Sequence, residues 1–331
     1  MNKTVSIIIP CYNGENFADR CLESIVSQDY PCLEIIVVND GSTDNSEDKI
    51  LSWKNRLGSS QRNLIYVKQE NQGSGAAVNT GLKHVSGDYI SLLDIDDEYL
   101  PGALASRVNY LNEHSDVDVV RSNGWYVRKE SKSLFIYDEK EKEIKDVFSA
   151  LIEGKTNNWA GSFMVRASSL FRFYPDREIY RSRYGQNLQF LLPLLYKKEC
   201  GYIDEPHMNY NQQENSLSKS TDSNRKELLL KNQIGYREIR EYMIDRIVSD
   251  KKEKEHFFLL AEKNYLKNAM LLALQFKDKA LMKESFLKLK AQKALSIDSY
   301  IVCCRLLHPV FVPFLRLCRK IISLIKTPNN A

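Results

Sequence analysis

Three carboxylates fall within four residues in the stretch Leu92-Leu93-Asp94-Ile95-Asp96-Asp97, directly after an apolar run. Like charges this close repel one another, so an ionised cluster needs water or a cation among its oxygens. A hard divalent cation, Mg²⁺ or Mn²⁺, prefers oxygen ligands, keeps positions open for phosphate and neutralises charge on a departing diphosphate. An Asp-x-Asp pair alone is also the ordinary content of an acidic turn, so its neighbours decide the reading. One neighbour is Asn39-Asp40-Gly41-Ser42-Thr43-Asp44, which also follows an apolar run. Asp40 is placed to accept a hydrogen bond, for which the ring N–H of uracil is a suitable donor, and Gly41 permits a tight turn. A solvated Asp-Gly turn, with Asn45 or Ser46 capping the next helix, is the structural alternative. The third piece is Ile7-Ile8-Ile9-Pro10-Cys11-Tyr12, in which Pro10 closes an apolar run and Tyr12 offers an aromatic face for a base.

The elements that must position these residues follow from periodicity. Residues 5–9, 35–38, 64–67 and 89–93 are short apolar runs suited to strands buried on both faces of a parallel sheet. Helical patterns fill the gaps, with Phe17, Cys21, Leu22, Ile25 and Val26 recurring within 16–28, and further helices expected over 46–57 and 76–84. This alternation predicts an α/β domain, a mostly parallel sheet flanked by helices. Ligands in such sheets bind at the carboxyl ends of the strands, where Pro10, Asp40 and Asp94 all fall. Beyond, Pro101 is expected in the first turn of a helix over 101–113. Residues 117–120 and 125–128 read as two strands, 145–152 as a short helix, 187–196 as an apolar helix, and 200–210 as strand, turn and strand.

Taken together, the order and spacing of these pieces resemble the family-2 glycosyltransferases, whose catalytic domain is the nucleotide-diphospho-sugar-binding GT-A fold, a Rossmann-like nucleotide-binding half followed by an acceptor half. The matching stretches are 5–13, 34–44, 70–82 and 86–101, and the likeness extends through 200–220. The resemblance implies inverting transfer from a UDP-sugar to a saccharide or lipid-linked acceptor in cell-surface polysaccharide assembly. It places Pro10 and Tyr12 against the nucleoside and Asp40 on the base. Asn71, Gly73 and Asn79 belong to the loop and helix start near the nucleotide. Asp94 lies beside ribose and metal, Asp96 is the metal ligand and Asp97 supports them. Two positions depart from the family's pattern. Val78 stands where an Arg is often found, and Gln186-Asn187 stands where a Glu-Asp pair supplies the base that takes the acceptor's proton. Neither amide is a base at neutral pH, so Glu178 or Asp176, slightly upstream, is the expected substitute. The same departure leaves open a non-catalytic nucleotide-sugar-binding or scaffolding subunit of a glycan-assembly complex. Gly73-Ser74-Gly75-Ala76-Ala77-Val78 nearly matches the dinucleotide fingerprint, but it ends in Val78 and follows the third strand instead of the first.

Length and composition set the frame. A chain of 331 residues, 43% hydrophobic and 27% charged, has room for one buried domain and an appendage. The expected division is 1–220 for the transferase domain, split into a nucleotide-sugar half at 1–130 and an acceptor half at 131–220, and 221–331 for a helical, basic region. Residues 225–331 hold 22 Lys and Arg against 11 Asp and Glu, while 1–224 hold 25 against 32. An acidic front argues against a nucleic-acid partner, and a basic tail suits an anionic membrane surface or an acidic partner. Within the tail, residues 300–325 are apolar with Arg305, Arg316, Arg319 and Lys320 and no acid, but the longest uncharged run is ten residues, too short to span a bilayer. Lying on the membrane surface, packing on the domain and homo-oligomer contact are the three uses left for it. The seven cysteines are scattered without a Cys-x-x-Cys pair, and the five histidines lack zinc spacing. The first apolar run is too short for a signal-peptide core. The chain is therefore expected in the cytoplasm, at the inner face of the membrane if the tail binds there.

Overall fold

The computed structural model describes residues 3–56, 62–129, 131–212, 223–313 and 316. Its first strand, β1 (Val5–Cys11), is buried because Val5, Ile7 and Ile9 face one layer of helices and Ile8 the other. A strand with apolar residues on both faces can sit only at the centre of a sheet covered on both sides. The order then runs α1 (Ala18–Val26), β2 (Leu33–Asp40), α2 (Ser46–Ser52), β3 (Arg62–Gln69), α3 (Ser74–His84), β4 (Tyr89–Leu92), β5 (Glu98–Tyr99) and α4 (Ala103–Glu113). The rear half follows: β6 (Val119–Arg128), β7 (Ser131–Leu134), α5 (Glu139–Lys142), α6 (Val147–Glu153), β8 (Phe163–Arg166), α7 (Ala167–Phe173), α8 (Gln186–Leu195) and β9 (Gly201–Asn211). Four helices close the described chain, α9 (Ser223–Ile247), α10 (Lys251–Gln275), α11 (Lys279–Ala291) and α12 (Ile297–Leu307).

One sheet runs through both halves in the order β3-β2-β1-β4-β8-β6-β9-β5, with β7 beside β6. The front pairs β3-β2, β2-β1 and β1-β4 are parallel, as the alternation predicts, whereas β8 enters antiparallel to both β4 and β6. Several elements depart from expectation. Pro101 precedes α4 in the turn, and Gly102, at φ 80°, is the residue that starts the helix. The two strands expected at 117–120 and 125–128 are one strand, β6, which bends at Asn123 where its register with β9 shifts. The turn expected inside 200–210 is absorbed in the same way: β9 is continuous, and Asp204-Glu205 bulge out between Ile203 and Pro206.

Each sheet face carries its own core. Ile7, Ile9, Ile35 and Val37 pack against α1 and α4, while Ile8, Ile36, Val38 and Ile90 pack against α3, α6 and α8. Ile239, Met243 and Ile244 of α9 and Ala261 of α10 belong to that second core, so the helical region shares apolar interior with the sheet. The boundary expected between residues 220 and 221 lies outside the described residues. Farther on, Met270, Met282, Leu289 and Cys303 form a small separate core between α10, α11 and α12. The six described cysteines are free thiols. No helix among the described residues is long and apolar enough to cross a membrane. Of the apolar stretch 300–325, residues 314, 315 and 317–325 lie outside the described chain.

Candidate active site

The carboxyl ends of β1, β2 and β4 open into a cavity of about 280 Å³ lined by Pro10, Tyr12, Phe17, Asp40, Asp94 and Asp96, with Ser74 of α3 at its edge. A cavity of about 360 Å³ opens at the opposite end of these strands beside Lys3, Asp88, Arg166 and Arg177. There Lys3 is paired with Asp88, while Arg166 and Arg177 donate to main-chain carbonyls, so its cations are already engaged. Of these two, the carboxylate-bearing cleft is the one whose charges are left without counter-ions among the described residues.

The first two strand-end loops are tied into one piece. Asn13, in the left-handed region at φ 51°, accepts the Thr43 amide on Oδ1 at 2.8 Å, and its own amide donates to Ser42 Oγ at 3.0 Å. Asp44 accepts the amides of Glu15 and Ser46, both at 3.0 Å. Asp40 is buried, and its Oδ1 accepts Gln69 Nε2 at 2.7 Å and the Gln72 amide at 2.9 Å, while Oδ2 accepts the Gly73 amide at 2.8 Å. A carboxylate has about four acceptor sites. Two are thus spent fixing the start of α3 and a third holding the Gln69 side chain at the end of β3, and one is left for a ligand. Gly41, at φ 73°, lets the Asn71 backbone approach, since a Cβ there would stand 2.8 Å from Asn71 N.

Asp94 and Asp96 differ from Asp40 in that no other described residue is seen donating to their carboxylates, and Asp97 receives one donor only on Oδ1. Asp94 opens into the cleft with protein packed behind it, and burial followed by the Asp96 charge pushes its carboxyl up. Burial does the same to Asp96, partly offset by Arg20. Arg20 donates to the Asp96 carbonyl at 2.5 Å and steadies the turn. Asp97 is 1% exposed. Its Oδ1 accepts the Asn211 amide at 2.9 Å, but Oδ2 has no partner, and burial with the two neighbouring acids pushes its carboxyl far up. This oxygen-only donor set, short of positive charge, fits a hard divalent cation held by Asp94 and Asp96 with Asp97 behind them. Three or more His, Cys, Asp or Glu side chains do not converge on one metal point among the described residues, so a metal here would share its remaining positions with ligand oxygens or water.

The remaining expected residues scatter. Asn71 is exposed on the loop before α3, and Gly73, at φ 89°, starts the helix. Asn79 is buried and faces the segment 174–186, donating to the Ile179 carbonyl at 2.9 Å and accepting the Ile179 amide at 2.8 Å. It braces that segment and does not line the cavity. Glu178 sits at the other end of α3, 2.9 Å from Lys83, which holds its carboxyl below the usual range. Asp176 is exposed in the turn after α7. Neither is brought to the cleft. Gln186, by contrast, reaches it by donating to Ser74 Oγ.

Four aromatic side chains of the rear half, Trp125, Trp159, Phe163 and Tyr180, are of the type that can face a sugar ring. Phe163 is fully buried, Trp125 lies under Lys132 and Tyr180 rests on Tyr242 of α9. Trp159 is linked to the acid turn through Tyr210. Its ring lies 4.6 Å from that of Tyr210, and its Nε1 donates to Tyr126 Oη at 2.8 Å. Tyr210 precedes Asn211, whose amide donates to Asp97 at 2.9 Å, and burial first, then the charges of Asp97, Asp94 and Asp96, raise its hydroxyl. Tyr126 and Tyr210 were not singled out from the sequence, because the contacts that gather them cross 33 and 51 residues to Trp159.

A family model described as Glycosyl transferase family 2 matches residues 6–180. An uncharacterized glycosyltransferase of Rickettsia typhi is 37% identical over 143 residues, 43% of each chain. The minor teichoic acid biosynthesis protein GgaB of Bacillus subtilis is 35% identical over 122 residues, 36% of this chain and 13% of that protein. The match thus spans well under half the length of these relatives. In fold, the chain is similar to S. aureus TarS 1-349 solved with UDP, at a TM-score of 0.60 and 17% identity over 96% of this chain and 87% of that one. It is also similar to the mannosyltransferase PcManGT of Pyrobaculum calidifontis solved with GDP-Man and Mn²⁺, at 0.55 and 17% over 96% and 83%.

Proposed function

From the premise that this chain belongs to glycosyl transferase family 2, we propose that it transfers a sugar, with inversion, from a nucleotide-sugar to a saccharide or lipid-linked acceptor in cell-surface polysaccharide assembly. The observation that carries this reading is the juxtaposition of Asp94 and Asp96, short of positive charge, with the nucleoside-sized cleft between Tyr12 and Asp40. UDP and GDP-Man in the similarly folded TarS and PcManGT support a nucleoside diphosphate sugar as donor, and a UDP-sugar is the donor we infer. The similarity to a teichoic acid biosynthesis protein supports a cell-envelope polymer as product, made at the inner face of the membrane.

Each residue then has a task. Tyr12, half exposed, stacks on the base, and the one unspent acceptor site of Asp40 takes its ring N–H. Asp94 and Asp96 would hold Mg²⁺ or Mn²⁺, whose chemistry there is to neutralise charge on the leaving diphosphate. Asn211, through its amide, and Arg20 keep the acid turn rigid. Trp159 and Tyr210 offer the acceptor an aromatic wall. Removing the acceptor's proton needs a base at the cleft, and Glu178 or Asp176 could serve only if the segment carrying them moved.

The amides of Gln186 and Asn187 at the start of α8 favour a second reading, a subunit that binds nucleotide-sugar without transferring it. Incubating the full chain with a panel of UDP- and GDP-sugars and Mn²⁺, with and without saccharide acceptors, separates the two. The enzyme releases free nucleoside diphosphate from one donor; binding without release from any donor supports the subunit.

A further inference from the structure

Residues 174–186 form a strap along α3, fixed at three points. Asn79 holds Ile179 by two hydrogen bonds of 2.9 and 2.8 Å. Gly75 lies directly under Ser182, where a Cβ would stand 2.2 Å from the carbonyl oxygen. Gln186 bonds Ser74, which lines the cleft. From outside, α9 clamps the strap: Gly235 leaves room for the Tyr184 ring, which a Cβ would approach to 2.1 Å, and Ile239 packs on Gly185. Between the last two anchor points stands Arg183. Its side chain crosses Gly73, so that a Cβ on Gly73 would meet Arg183 Cγ at 3.1 Å and Nε at 3.6 Å. The aliphatic stem is thus laid over a residue that has no side chain, beside a cleft whose charged side chains are the carboxylates Asp40, Asp94 and Asp96.

Charge pairing separates Arg183 from Arg181 and Arg20. Arg181, two residues earlier, is within 4.0 Å of Glu178, and Arg20 within 3.8 Å of Glu98. Arg183 is exposed and has no carboxylate within ion-pair distance among the described residues. A guanidinium offers five donors in a planar fork matched to phosphate oxygens. We propose that Arg183, held over Gly73 by the strap, is the cation that binds the diphosphate of the nucleotide donor. The inference rests on the nucleotide-sugar reading of the cleft and adds to it a residue beyond the matched segment 6–180.

The test is titration of the full chain, with Mn²⁺, by UDP and GDP and by uridine and guanosine, in the wild type, Arg183→Ala, Arg183→Lys and Arg181→Ala, each checked for folding by circular dichroism. Arg183→Ala is expected to weaken the preferred diphosphate about tenfold or more, with less than about a twofold change for its nucleoside, as loss of a charge-assisted pair requires. Arg183→Lys recovers part of the loss, and Arg181→Ala binds as the wild type does. Diphosphate binding by the wild type that is unchanged in Arg183→Ala overturns the inference alone. A wild type that binds neither diphosphate overturns the nucleotide reading together with it.

Discussion

The front half of the molecule, residues 5–97, and the rear half with its C-terminal helices build the two sides of one cleft by different means. In front, the chemistry stands at the ends of adjacent parallel strands, and short loops do the positioning. Asn13 meets Thr43, Asp44 meets Glu15 and Asp40 meets Gly73, so the loops after β1 and β2 are held by partners about 30 residues away. At the rear, Asn79 reaches Ile179 across 100 residues, and the strap is then pinned by α9, well over half the chain from the first strand. A site built from strand ends survives in the sequence as a motif. A site built from a clamped strap leaves only glycines at the points of closest approach.

The largest expected effect tests the front half. Asp96→Ala removes a cleft carboxylate and is expected to lower nucleoside diphosphate release about a thousandfold, the scale of metal-borne charge stabilisation, while leaving the melting temperature in place. Full activity in that variant would remove the metal from Asp96.

The seam between the halves has its own signature. His207, 4% exposed on β9 where its carbonyl accepts the Leu100 amide, has a pKa held down at about 4 by burial and then by Arg107. The unfolded chain binds a proton near pH 6.5 that the folded chain refuses. Stability is therefore complete above about pH 6.5 and is lost as pH falls toward 4, by about 3 kcal/mol from this group. Denaturation of the wild type against His207→Gln isolates that slope, because the acid cluster is common to both.

At the rear, Gly75→Ala forces a methyl against the Ser182 carbonyl and should cost about 1–3 kcal/mol, together with a loss of transfer larger than the loss of nucleoside binding. Equal losses would mean that the strap serves binding and transfer alike. The smallest effect is expected at Glu178. Glu178→Gln should change transfer less than about twofold, because its partners are Lys83 and Arg181 and not the cleft. A large loss there would show that the strap swings during the reaction.

Legibility followed the same division. The strand-helix alternation, the carboxyl-end placement of Pro10, Asp40 and Asp94, and the helical run after 223 could all be read from periodicity, because each is a local property. Reading Asn123 and Asp204-Glu205 as breaks failed because a bulge, unlike a turn, depends on the partner strand that absorbs it. Asp40 looked unoccupied in the sequence, since nothing local reveals that the amides of Gln72 and Gly73 fold back onto it. Residue type alone does not show that β8 carries Phe163 into the interior. Arg183 gave no signal at all, because its position depends on Gly73, 110 residues earlier, and on Tyr184 finding Gly235.

A crystal structure of the full chain with UDP and Mn²⁺ is the most direct test of the cleft. The uracil is expected between Tyr12 and Asp40, and the metal on Asp94 and Asp96, touching the diphosphate. Nucleotide bound at the opposite end of the strands, or bound in the cleft with Mn²⁺ away from both carboxylates, would contradict this placement.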